Sequence, residues 1–227
     1  MGKDDFFKKK RLSQEKRKHD YKRPRANSFL IVTEGKRTEP LYFNGIKKII
    51  QEKSGGVIDV YESPVIEICG QGCSTGKLIE VTERIVKNAK VNYQNVWVVF
   101  DKDDFEDFDQ AIKEGEKKGY KMAWSNQSFE YWLYLHFNYS DAALHRSEWN
   151  KKLDEIFKRY NLGTGKYQKN YDDIYQIVNR NAGVNAAIRK AKRRMESIEL
   201  GRYKPSEVNP GTTVYKLLEE LKRFIDK

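Results

Sequence analysis

The chain has 227 residues, 38% hydrophobic and 13% aromatic, enough to bury one substantial core with a smaller helical part attached, an arrangement expected ahead of two domains of equal weight. A formal net charge of +11 and an isoelectric point near 9.4 make polyanions the expected partners, nucleic acid first, although many mildly basic chains bind nothing. The longest apolar run, Val96–Phe100, is too short to span a membrane, and Cys69 and Cys73 without nearby histidines are too few ligands for zinc; with a charged N-terminal segment, these facts fit a reducing cytoplasm.

Residues 1–25 hold eleven Lys or Arg against Asp4, Asp5, Glu15 and Asp20, and almost no aliphatic residues. Residues 1–26 therefore read as a basic arm, either a disordered solubilising tail or a non-specific phosphate-binding arm, with Pro24 near its end. Phe29-Leu30-Ile31-Val32 is a short apolar run that predicts a buried strand, and Thr33-Glu34-Gly35-Lys36-Arg37 is its exit loop. Pro40 suits the first turn of a helix whose apolar face is Leu41, Ile46, Ile49 and Ile50. A second strand is expected at Val65–Ile68, then a glycine-rich turn over 70–76 and a helix carrying Leu78, Val81, Ile85 and Val86. Val96–Phe100 is continuous rather than alternating, as in a central strand covered on both faces. A helix over about 105–118 stops at Gly119, and 120–124 makes a fourth strand. Strands alternating with helices predict an α/β core over 27–127 with a mostly parallel sheet. Beyond Ser128 the periodicity is helical, over 129–137, 147–160, 184–200 and 214–225, giving a helical appendage over 128–227. Its third helix carries Arg189, Lys190, Lys192, Arg193 and Arg194, a candidate nucleic-acid-binding surface.

Ligands of open α/β sheets collect at the carboxyl ends of strands, and three carboxylates fall there. Glu34 closes the first strand, and Asp101 and Asp103 follow the Val96 strand, two residues apart and so pointing the same way. If the two strands are neighbours, Glu34 completes a cluster whose oxygens suit Mg2+ or Mn2+, and such ions cut phosphodiesters. Ordinary capping and dipole compensation by Asp103 or Asp104 are the structural alternative.

Residues 31–43 (IVTEGKRTEPLYF), 98–105 (VVFDKDDF), 125–137 (SNQSFEYWLYLHF) and 209–214 (NPGTTV) together resemble the RloB-like family, four separated motifs in order from about residue 27 onward. That resemblance implies a TOPRIM-type fold in which Glu34, Asp101 and Asp103 hold Mg2+. It also implies a setting in restriction-modification loci and abortive-infection phage defence, often beside an ATPase partner. By analogy with two-metal TOPRIM nucleases, Glu130 is a further candidate ligand.

Lys36 is a candidate for offsetting charge on the scissile phosphate, or a solvated loop lysine. Glu39 reads first as an acid in a helix's first turn, with ligation the alternative. His136 reads as a core histidine rather than a proton carrier. Gly72-x-x-x-Gly76-Lys77 fails the phosphate-loop pattern at Gln71 and Leu78, so ATP use by this chain is not expected. The expected function is Mg2+- or Mn2+-dependent cleavage of RNA, tRNA included, or DNA. Nucleotidyl transfer or strand passage is disfavoured because no second catalytic module is visible. A rival of another class is a non-catalytic nucleic-acid-binding or adaptor protein working with the ATPase.

Overall fold

The computed structural model describes residues 25–53, 57–62, 75–102, 106–180, 183–198 and 202–226. The basic arm through residue 24, the strand expected at Val65–Ile68, the glycine-rich turn through residue 74 with both cysteines, and Asp103 with Asp104 lie outside the described residues.

Five strands are described: β1 (Arg25–Thr33), β2 (Val57–Glu62), β3 (Tyr93–Asp101), β4 (Lys121–Asn126) and β5 (Gly211–Thr212). They form one sheet in the order β2-β1-β3-β4-β5. The pairings among the first four strands are parallel, and the β4–β5 pairing is antiparallel. The helices are α1 (Thr38–Lys53), α2 (Thr75–Asn88), α3 (Phe108–Lys117), α4 (Phe129–Leu135), α5 (Arg146–Arg159), α6 (Ile174–Asn179), α7 (Gly183–Glu196) and α8 (Val214–Ile225). Mixed α/β architecture with a mostly parallel sheet thus agrees with the sequence reading.

Alternation along the central strands divides the core in two. Phe29 and Ile31 of β1, Trp97 and Val99 of β3, and Ala123 of β4 face one apolar cluster, whose helical side comes from α1 and α4–α8. Leu30, Val32, Val98, Phe100, Met122 and Trp124 face the other, covered by α2 and α3 with Met195 and Val208. A strand buried on both faces must be apolar at every position, which is why β1 and β3 read as continuous runs. The C-terminal helices share the first cluster with the sheet, and the short β5 between α7 and α8 pairs with β4, so the helical half also supplies a strand.

The helix boundaries follow local chemistry. Thr38-Glu39-Pro40 opens α1, with proline in the first turn where its missing N–H costs nothing. Gly119 ends α3 at φ +80°, a left-handed conformation that glycine adopts without steric cost. β2, α6 and β5 are elements the sequence reading did not anticipate.

Candidate functional site

Thr33 pairs with Val99 across β1 and β3, so both strands deliver their carboxyl ends to one place. The Glu34 N–H bonds the Val99 carbonyl at 2.9 Å, and its Oε2 accepts the Asp101 N–H at 3.1 Å. The neighbourhood on which the Glu34–Asp101 cluster was conditional is therefore present.

Two more acids complete the group. Glu39, in the first turn of α1, is 8% exposed. Its carboxylate lies against Gly35, where an added Cβ would come within 2.3–2.5 Å of it. A side chain at residue 35 would fill the space this carboxylate occupies. Glu130, the second residue of α4, is 2% exposed and accepts the Tyr167 hydroxyl at 3.1 Å. Lys169 Nζ lies 2.9 Å from the same Oε1, and its backbone carbonyl accepts the Thr38 hydroxyl at 3.1 Å, which ties the α5–α6 loop to the start of α1.

Asp101 registers this crowding. Burial, then the Glu39, Glu130 and Glu34 charges, hold its carboxyl well above the usual carboxylate range, while a hydrogen bond from the Phe129 N–H at the start of α4 pulls the other way. Desolvation opposes the Lys169 charge, but Glu130, Asp101 and Glu39 outweigh it and raise its pKa. Four carboxylates and one ammonium therefore share one electrostatic environment. Among the described residues no three His, Cys, Asp or Glu side chains stand close enough together to hold a metal ion as placed. The chemistry of the donors nevertheless suits one: all are hard oxygens, and the anionic excess felt by Asp101 is what a divalent cation relieves.

Of the remaining candidates, Lys36 is half-buried in the β1–α1 loop. His136 is fully buried, 3.1 Å from the Tyr42 hydroxyl through Nε2, and burial followed by the Lys190 charge pushes its pKa down to about 3. It is a neutral core residue. Sequence reasoning favoured an ordinary first-turn role for Glu39 and did not single out Tyr167 or Lys169. Glu39, four residues after a glycine, carried a faint signal; Lys169, in a polar loop, carried none.

The basic residues of α7 do not form a single surface. Arg189 and Arg193 are exposed, and Arg193 lies 4.6 Å from the Tyr139 ring centroid. Lys192 pairs with Glu219 at 2.5 Å. Lys190 donates to the Leu135 and Phe137 carbonyls at 3.0 and 2.8 Å, and Arg194 Nε to the Pro210 carbonyl at 2.9 Å. Three of the five thus pair with or donate to groups elsewhere in the chain, and a fourth, Arg193, sits over an aromatic ring.

Fold and site together define an α/β protein with an acidic cluster at the carboxyl edge of a mostly parallel sheet. The chain belongs to the RloB-like protein family, which matches residues 29–221 and so includes every cluster residue named above. No curated protein and no solved structure matches the chain.

Proposed function

We propose that this chain is a divalent-metal-dependent nuclease of TOPRIM type acting in prokaryotic phage defence. The observation that carries the reading is the convergence of Glu34, Glu39, Asp101 and Glu130 at the strand ends, with the Asp101 carboxyl held above the usual carboxylate range by burial and then by the other three charges. These residues, joined by Asp103 on the sequence pattern, would hold Mg2+ or Mn2+. When bound, such an ion supplies Lewis acidity and charge neutralisation toward a phosphodiester.

The chain's own groups supply the rest. Burial and the neighbouring carboxylates raise the proton affinity of Asp101 and a bound cation would lower it, so binding would be coupled to proton release. Tyr167 and Lys169 orient Glu130 through two donors on one oxygen. The Lys169 ammonium, 59% exposed, and Lys36 on the β1–α1 loop are cations able to offset charge growing on a phosphate. Net positive charge draws the polyanion in.

A second reading, a non-catalytic nucleic-acid-binding or adaptor protein working with an ATPase, draws on the Lys169–Glu130 pair, which already neutralises part of the cluster. The experiment that separates the two incubates the chain with plasmid DNA, single-stranded DNA and total tRNA in Mg2+, Mn2+ or EDTA, with and without any ATPase found to be encoded beside it. Metal-dependent cleavage lost in Glu34→Gln and Asp101→Asn, and reduced in Glu130→Gln, is the expected result. Intact substrates under every condition, with binding indifferent to metal, would leave the adaptor reading standing.

A further inference from the structure

At the carboxyl edge of the sheet, on the side away from β2, a cleft of about 390 Å3 opens between the end of α7 and the segment that leads into β5. Asn209, the first residue of the Asn209-Pro210-Gly211-Thr212-Thr213 motif, forms part of its wall, and the carboxylate site gives this motif no role. Asp101 pairs with Ser125, and Ser125 with Thr212, so the motif's strand lies two strands over from Asp101, a lateral offset of about 10 Å.

The lining has a definite chemistry. Arg194 comes from α7, oriented through Nε by the Pro210 carbonyl and through Nη1 by Ser197 Oγ at 3.3 Å. Arg202 comes from the following segment and lies 5.8 Å from the Tyr203 ring centroid. Tyr203 is 49% exposed, one of three large hydrophobic side chains so placed among the described residues. Glu207 presents a carboxylate fixed by the Lys204 N–H at 2.7 Å, and the buried Oδ1 of Asn209 has no hydrogen-bond partner among the described residues. Guanidinium forks match phosphate oxygens, an exposed tyrosine ring offers a stacking face to a base, and Glu207 with Asn209 provides acceptors for ribose or base N–H and O–H groups.

The surroundings extend the same chemistry. Arg189 and Arg193 lie at i and i+4 on α7, and Ser197, just past its end, continues the row through its N–H bond to the Arg193 carbonyl, so one face runs from the cleft past the Arg193–Tyr139 pair.

We infer that this cleft binds one nucleotide unit of a single-stranded nucleic acid, with the strand continuing along the Arg189–Arg193 face of α7. The assignment rests on the nucleic-acid partner of the proposed function and adds that the strand is held unpaired, since only an unpaired base can stack on Tyr203. It does not depend on cleavage.

The test is fluorescence anisotropy in EDTA with labelled single-stranded RNA and DNA 12-mers, the corresponding blunt duplexes, and AMP, UMP and inorganic phosphate as competitors. Single strands should bind at least tenfold tighter than duplex. Tyr203→Ala should weaken single-strand binding five- to a hundredfold, with Tyr203→Phe retaining it. Arg202→Gln should flatten the dependence of log K on log salt by about 0.7. Unchanged melting temperatures would show these exposed substitutions to be folded. Equal binding of duplex and single strands, or native affinity in both Tyr203→Ala and Arg202→Gln, would overturn the assignment. So would stoichiometric competition by a mononucleotide or by phosphate, which would make the cleft a free-ligand site. A chain that never cuts, yet shows these variant effects in EDTA, would refute the nuclease reading and support the cleft.

Discussion

Replacing Asp101 with asparagine should stabilise the protein in metal-free buffer while removing its response to divalent cations. Three carboxylates act on Asp101 and a single nearby ammonium offsets part of their charge. At an effective dielectric constant of about 20, one like charge at about 6 Å costs about 3 kcal/mol. Asparagine keeps an acceptor for the Phe129 N–H but turns a charge-assisted hydrogen bond into a neutral one, a loss of about 1 kcal/mol. The balance is about 2 kcal/mol in favour of Asp101→Asn near neutral pH, roughly 4–8 °C in melting temperature for a domain of this size. Its pH dependence has a definite sign. With the folded carboxyl held above the ordinary range, the folded chain keeps a proton that the unfolded chain has released. Stability of the native chain therefore falls as pH rises from the unfolded carboxylate range to the folded value. The gap between native and variant should be nearly closed at about pH 4 and fully open above the folded value. Millimolar Mg2+ or Mn2+ should raise the native melting point and leave the variant's nearly unchanged. Thermal denaturation across pH, with EDTA or metal, reads all of this. A variant that melts below the native chain in EDTA at neutral pH, or one that gains as much from Mg2+, would refute the reasoning.

Two other substitutions test different parts of the structure. His136, buried with its pKa pushed down to about 3, cannot follow the unfolded chain in taking up a proton as pH falls below the ordinary histidine value. The native chain should therefore lose about 2 kcal/mol between neutrality and about pH 5 on this account, and His136→Gln should remove that acid-side loss in urea titrations. Lys190→Ala strips donors from the two carbonyls at the end of α4 and should cost about 1–3 kcal/mol with little effect on nucleic-acid affinity. Arg189→Ala and Arg193→Ala should do the reverse, leaving melting nearly unchanged and lowering the salt slope of single-strand binding by about 0.7 each.

The parts of this fold legible in the sequence are those where burial on both faces forces an unbroken apolar run. Phe29–Val32 and Val96–Phe100 announce β1 and β3, and their ends carry Glu34 and Asp101. β2 was harder to see because Asp59 and Glu62 interrupt it, as an edge strand tolerates. β5 is two residues long, held by pairing with β4 rather than by any pattern of its own. The site divides the same way. Glu34 and Asp101 follow from strand ends, but the depth of Glu39 depends on Gly35 leaving room for its carboxylate. Lys169 reaches Glu130 from a polar loop only because Thr38 and Tyr167 pin that loop, which are contacts between segments more than a hundred, and more than thirty, residues apart. The five cations of α7 look alike in sequence; their partners, Glu219 and three backbone carbonyls, come from elsewhere in the fold.

The wide spacing of the cluster along the chain also sets a time. Glu34 leaves the ribosome long before Lys169, and α8, which closes the same core against α1 and β4, is the last described helix. At the usual 5–20 residues per second, about 10–40 seconds separate synthesis of Glu34 from that of α8. Until the segment carrying Lys169 is made, Glu130 lacks the ammonium that neutralises part of the cluster. Whatever chemistry the site performs is expected to wait for the segments through α8, so a copy truncated before α8 is expected to be silent.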